Sequence, residues 1–302
     1  MSDWTPLAIL SVALVGAWGV ALLQQAIATG QVRPWVLVRS GVDGLREPLS
    51  RPDQRDAVLF HTAPALLVLA AVLTLAFVPW APGFRGIDLS TGAIAVPAAL
   101  AYVTPAIFMA GWGAGRPLAV VAGFRWIALM LAYAMPIAMV VTAVAAPAGS
   151  LRLSVIVDAQ HAVPTAIVQP LALALWLPAA SAVCFLPPFD LPHAPSELGG
   201  GAFGEYTGLD AALIRLAQRI LVVAMSAMTV VLFGAGWHGP VLPPAVWMTL
   251  KTAIVAALAL WVGGRVPRVQ IDRLLPFAWK VANPLALLAI AWAGLVTLVF
   301  YR

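Results

Sequence analysis

Eight stretches of this chain run long and apolar with few charges: residues 6–27, 57–80, 92–112, 118–146, 166–186, 213–233, 244–262 and 277–300. A helix needs about 20 mostly apolar residues to cross the hydrocarbon of a bilayer, and each run meets that length. The runs are continuous and do not alternate residue by residue, so they predict helices and not barrel strands. With 62% hydrophobic and only 10% charged residues, the chain cannot wet its own surface as a soluble domain with about 25% charged residues does. The expected fold class is all-α: a polytopic membrane protein of eight spans, one integral domain over 1–302, with no internal repeat and no separate soluble domain.

The lone cysteine, Cys184, excludes an internal disulfide and any cysteine-based cluster or zinc site. At the end of the fifth run it reads as a small packing residue. The first run follows Asp3 and no Lys or Arg. A cleaved signal peptide starts basic and has a shorter apolar core, so this run is expected to be a retained span. A net charge of +5 would suggest nucleic acid for a soluble protein. In a membrane protein, basic residues flank the spans on the cytoplasmic side, and no nucleic-acid partner is expected. Arg33, Arg39, Arg46, Arg51, Arg55, Arg116, Arg265, Arg268, Arg273 and, at the start of the eighth run, Lys280 fall on one side, against Arg85, Arg152 and Arg302 on the other. That bias predicts cytoplasmic loops over 28–56, 187–212 and 263–276, with both termini outside.

Four further cations lie within or at the edge of the runs: Arg125, Arg215, Arg219 and Lys251. A charge at the bilayer centre costs about 2.5–3.5 kcal/mol, so such residues face protein or water. Arg215 and Arg219 share a helical face near the cytoplasmic end, where they can snorkel or pair with Glu205 or Asp210. Arg125 and Lys251 lie too deep to snorkel and call for a buried partner or a polar cavity. No Asp or Glu falls inside a run. Besides those cations the spans offer His61 and Tyr133 but no acid, too little for a complete proton path in this chain alone. His161 and His238 lie in outer connections without a second ligand at metal spacing, so no metal site is expected. The glycine-rich "ELGGGAFG" (197–204) has no strand before it, which argues against nucleotide binding. Pro136, Pro164 and Pro170 are expected to kink or start helices.

Three of the twelve carboxylates, Asp190, Glu197 and Glu205, crowd into one loop, "PPFDLPHAPSELGGGAFGEYTG" (187–208). Such acids either solvate a cytoplasmic loop or dock it against another protein. The loop resembles that of the membrane component known as the H subunit of bacterial respiratory complex I, and of its relatives in membrane-bound nickel–iron hydrogenases. Pro188, Phe189, Asp190, Leu191, Glu197, Leu198, Glu205, Tyr206 and Gly208 carry the match. Three further stretches agree in the same order. One matches at Gly111, Trp112, Gly123, Arg125 and Tyr133, and "GSLRLSVIVDAQ" (149–160) is similar to the family's linker. "VPRVQIDRLLPFAWKVANPLAL" (266–287) matches at Pro267, Arg268, Asp272, Leu274, Trp279, Lys280 and Pro284.

The resemblance implies a subunit of an oxidoreductase and translocase in the bacterial inner membrane. In that family the loop lines a chamber where a quinone headgroup meets the last iron–sulfur cluster, and it starts an acidic path toward proton-pumping subunits. The implied partners are peripheral redox subunits, which carry the iron–sulfur clusters, and antiporter-like membrane subunits, all within membrane lipid. Quinone is the candidate substrate, and no cofactor is held by this chain alone. The implied junction residues are Asp190, Glu197, Glu205, Tyr206, Arg39, Arg125, Arg268 and Asp272. The carboxylates supply its acidic side, and the arginines hold loops against each other and against the partner.

The departures from the family all remove charge. Val183, His193, Pro195 and Met135 stand where the family has glutamates, and Leu186 stands for an arginine. The first cytoplasmic connection, "RPWVLVRSGVDGLREP" (33–48), keeps only Arg39, Gly41, Gly44, Leu45 and Pro48 of the family pattern. Three functions remain open at this point. The chain is the docking and coupling subunit of a complex I-like or hydrogenase-type assembly, or a membrane anchor without chemistry of its own, or an independent transporter. The missing acids favour an anchor over full coupling. The absence of an inverted repeat speaks against the transporter.

Overall fold

The structure is a computed structural model and describes residues 5–49, 52–84, 86–191, 193 and 198–300. Among these residues there is no strand beyond a single bridge between Ala81 and Phe84. The chain forms α1 (Thr5–Thr29), α2 (Pro34–Arg46), α3 (Ala57–Ala76), α4 (Gly92–Ala101), α5 (Val103–Gly113), α6 (Pro117–Ala148) and α7 (Leu153–Ala159). There follow α8 (Thr165–Val168), α9 (Pro170–Val183), α10 (Gly208–Phe233), α11 (Pro244–Gly263), α12 (Ile271–Phe277) and α13 (Asn283–Phe300), the last two joined by a π-turn at Ala278–Ala282. This is an all-α polytopic membrane protein. Among the described residues, seven helices or helix pairs are long and apolar enough to cross a bilayer, and α9 is a shorter apolar eighth.

Helix α10 is the axis. Every residue from 220 to 233 is buried, as a helix apolar on all sides must be, and α1, α3, α9 and α11 pack around it. Trp176 on α9 donates its indole N–H to Thr229 on α10 at 2.8 Å, which satisfies two polar groups in the core. Helix α6 forms a second layer between α5, α9 and α13.

Prolines explain where the elements depart from plain spans. Pro105 has no N–H to return to Ala101, and the third span divides there into α4 and α5. Pro284 likewise cannot donate to Lys280, and the ladder widens into the π-turn just before it. The fifth span is the largest departure from expectation. In place of one helix over 166–186, α8 stops at Gln169 and α9 starts on Pro170 at its first position. At 14 residues, α9 is only about 21 Å long at 1.5 Å per residue, short of the ~30 Å hydrocarbon core.

The connections fall alternately on two faces. On one face the Asp56 N–H bonds Gly113 O at 2.9 Å, Thr207 Oγ1 donates to Pro48 O at 2.7 Å, and Val269 N–H bonds Pro188 O at 3.0 Å. On the other, Ala93 N–H bonds Leu151 O at 2.8 Å and Ser154 Oγ donates to Asp88 Oδ2 at 3.0 Å. Buried Gln160 ties that second face together. Its amide N–H groups reach Ile156 O and Val231 O, and its carbonyl accepts from Thr165 and Ala235.

Candidate functional site

The segment after α9 cannot continue the helix, because Pro187 and Pro188 lack N–H groups and Phe185 already stands at φ +52°. A tight turn, with Phe189 N–H on Leu186 O at 2.8 Å, then delivers Asp190 inward. The residue keeps only 7% of its surface exposed. Its Oδ2 accepts from Arg268 Nε at 3.1 Å, and two residues away the backbone bond from Val269 to Pro188 runs in parallel. Side-chain charge and backbone together lock the 187–190 turn to the 266–270 connection.

His193 faces the same pair, its ring 5.0 Å from that of Phe203. Burial holds its pKa below the ordinary histidine value, and Arg268 adds to that while the Asp190 carboxylate opposes it. A depressed histidine pKa means that the unfolded chain takes up a proton before the folded one does. Stability is therefore full above about pH 6.5 and falls as the pH drops below that value. Thermal melts of the solubilised protein across this range are expected to show that acid-side loss, and His193→Asn should flatten it. An unchanged slope in the variant would remove His193 as its source.

The "GEYTG" end of the loop is fixed from several directions. Tyr206 stacks on Phe60 with ring centroids 4.1 Å apart and 5° between planes, and its O–H donates to Phe60 O at 3.0 Å. Ala110 O lies at 3.4 Å from the same oxygen. Burial pushes the phenol pKa up, with the Asp210 charge adding to it, so Tyr206 serves as a neutral donor. Glu205 meets Arg116 at 3.7 Å in an exposed pair. Helix α10 begins at Gly208, ahead of the apolar run that starts at Leu213. This brings Asp210 into its first turn, where the helix dipole favours a carboxylate. There Asp210 accepts from His61 Nδ1 on α3 at 2.9 Å.

That geometry corrects two expectations. An acid does enter a span, and the acids offered as partners to Arg215 and Arg219 are engaged elsewhere, Glu205 by Arg116 and Asp210 by His61. Arg219 Nε instead reaches Gln24 Oε1 at 3.4 Å, and Arg215 lies alongside Gly44. Lys251 donates to the carbonyls of Gly234, Gly236 and His238 at 2.8, 3.1 and 2.8 Å. It thereby caps the C-terminal end of α10 on the opposite face. His161 and His238, both read from the sequence as outer-connection residues, come together with ring centroids 5.1 Å apart and Asp158 at 3.4 Å from His238. Among the described residues no group of three metal ligands forms.

Of the remaining junction residues, Arg39 on α2 and Asp272 on α12 are exposed, and Arg125 is half-buried on α6 and has a partner. Glu197 and Pro195 lie outside the described residues. Val183 is fully buried, whereas Met135 is 46% exposed on the outside of α6. The residue directly after Tyr133 is Ala134, so neither position on α6 carries an acid. Beside Tyr133 a cavity of about 410 Å³ opens between α6, α9 and α12, lined by Ala132, Pro136, Ala179 and Phe189, with Arg273 as the charged group among its described lining residues.

Two features of this face are absent from the expectations drawn from the sequence. Helix α2 occupies part of what reads there as a plain loop. A signal for it exists, with Pro34 at the first helical position and apolar Trp35, Val38, Val42 and Leu45 spaced by three and four residues. The His61–Asp210 pair has none, since 149 positions separate its members.

Comparison with known proteins agrees with this architecture. A family model described as NADH dehydrogenase matches residues 12–294. An NADH-quinone oxidoreductase H subunit of Syntrophobacter fumaroxidans is 31% identical, covering 93% of this chain and 91% of its own length. The corresponding H subunit of Dehalococcoides mccartyi is 33% identical over 95% of this chain and 86% of its own. The chain belongs to the family of NADH-quinone oxidoreductase H subunits. That of Geobacillus kaustophilus reaches 36% identity over 83% of this chain and 76% of its own. Among solved structures, a chain of the membrane-bound sulfane sulfur reductase, an archaeal respiratory membrane complex, superposes with a TM-score of 0.84. It covers 96% of this chain and 98% of its own at 22% identity, a likeness of fold. As a member of this family, the protein is a membrane subunit of a complex I-like oxidoreductase assembly.

Proposed function

We propose that the face built from the described residues of 28–56, 113–117, 187–208 and 264–271 is the junction at which this membrane subunit docks a peripheral redox arm and meets quinone. The observation that carries the reading is the locking of the "PPFD" turn by Asp190–Arg268 and Val269–Pro188. A loop held at two points presents a fixed surface, as docking requires. Iron–sulfur clusters belong to the arm, antiporter-like subunits to the membrane partners, and quinone is the substrate. The charge bias supports a cytoplasmic position for this face with both termini outside, and the likeness to bacterial H subunits supports a bacterial inner membrane.

A second reading has its own observation. The apolar cavity beside Tyr133, with no acid among its described lining residues, suits an anchor that holds the arm without handling protons. Purification of the intact complex through a tag on this chain separates the two. The Glu205–Arg116 pair is exposed, so Glu205→Ala should change stability by no more than about 1 kcal/mol. The junction reading expects the variant to retain its fold while quinone-dependent turnover falls and redox subunits copurify less. Full turnover with normal copurification would leave the anchor.

A further inference from the structure

We infer that His61 and Asp210 form a proton-transfer dyad at the cytoplasmic edge of the bundle, a proton-handling site distinct from the carboxylates of the 187–208 loop. The inference rests on the junction reading above. His61 lies about one turn inside α3 and Asp210 within the first turn of α10, and a side-chain bond of 2.9 Å joins the two helices there. The Asp210 side chain is 11% exposed and that of His61 38%. The carboxylate is thus enclosed and the imidazole open.

This is the arrangement that makes a histidine a directed proton carrier. The carboxylate takes Nδ1–H, fixes the tautomer and stabilises the imidazolium, and Nε2 is left to exchange a proton with water or a neighbouring group. The edge of the His61 ring meets Phe60 at 5.3 Å and 89°, which orients it further, and Phe60 in turn stacks on Tyr206. The dyad is therefore one ring away from the loop end that carries Glu205, the partner of Arg116 at the start of α6.

Among the described residues, the charged and titratable groups that contacts place beside the dyad are few. Asp56 caps the start of α3 through Val58 and Leu59 N–H. Tyr206 precedes α10 and is held neutral, and the backbone of Glu47 closes on Gly208 from the end of α2. None of these can cycle a proton in the way an exposed imidazole can. In the proposed step, Nε2 of neutral His61 accepts a proton from cytoplasmic water. The resulting imidazolium, held by Asp210, gives the Nε2 proton through water to the reduced quinone of the junction reading and returns to neutral, while the water that donated to His61 is restored by a proton from the cytoplasm, so charge and protons balance over the cycle.

The test uses the purified assembly and measures quinone-dependent turnover for wild type, His61→Ala and His61→Gln. General acid–base groups contribute about 10²–10⁴-fold, so both variants should lose turnover of that order while quinone KM stays near the wild-type value. Free imidazole should restore much of the rate to His61→Ala. A purely structural histidine would not respond to imidazole, and such a result with an intact complex overturns the dyad. Wild-type turnover in both variants overturns it as well. His61→Gln can still bond Asp210, so it keeps the test valid if His61→Ala fails to assemble. A wild-type complex that reduces no quinone would instead overturn the junction reading on which the dyad rests.

Discussion

Arg268→Ala should destabilise the protein more than Asp190→Ala, although the two mutations break the same ion pair. Removal of the arginine leaves a carboxylate in a site with 7% of its surface exposed, and a buried group without its partner costs about 1–3 kcal/mol, more when charged. Removal of the aspartate leaves an arginine whose side chain is 47% exposed and which can turn to water, a loss nearer the ~1 kcal/mol of a surface pair. Adding Asp190→Asn to Arg268→Ala should recover part of the deficit, because it removes the stranded charge. Thermal unfolding of wild type and these variants in one detergent measures the asymmetry. Equal losses for the two single variants would mean that the Asp190 site is wet and that the backbone bond from Val269 to Pro188 alone holds the turn.

Gly208→Ala should be among the most damaging single-methyl additions to the chain. Gly208 opens α10 at φ +59°, and a Cβ there would stand 2.6 Å from Glu47 O. The left-handed backbone alone costs an L-residue about 1–2 kcal/mol, and the contact is with main chain, so rotating a side chain cannot relieve it. The 47–49 segment must move, and the 2.7 Å bond from Thr207 to Pro48 goes with it. Gly30 provides the control. It also has a left-handed φ, of +69°, but no atom stands within 4 Å of its would-be Cβ, so Gly30→Ala should show the backbone cost alone. If the two variants melt alike, the 28–56 and 187–208 segments are not held together through Gly208.

Both predictions concern contacts between segments far apart in the chain, and there the sequence is least informative. Apolar run lengths alone place most of the spans, because a bilayer imposes a fixed thickness and excludes charge. The second, third, fourth and seventh spans begin within a residue of where the runs do. The fifth does not, since a run of hydropathy does not show where the ladder breaks, and Gln169–Pro170 sits inside the run. The sixth starts early because Asp210, which hydropathy reads as outside, is favoured by the first turn of a helix. Helix α2 is readable in the spacing of Trp35, Val38, Val42 and Leu45, but its polar half masks it from any count of apolar residues.

The sequence by itself determined the all-α membrane fold, the family and the concentration of loop acids, since each depends on local composition or on short ordered motifs. Only the tertiary structure decided the pairings. Asp190 goes to Arg268, Glu205 to Arg116, Asp210 to His61, and Lys251 to three backbone carbonyls. A charge in a membrane protein must find a partner, and that much is predictable from its cost in hydrocarbon. Which partner it finds depends on helix packing that brings together residues far apart in the chain, and no local pattern encodes that distance.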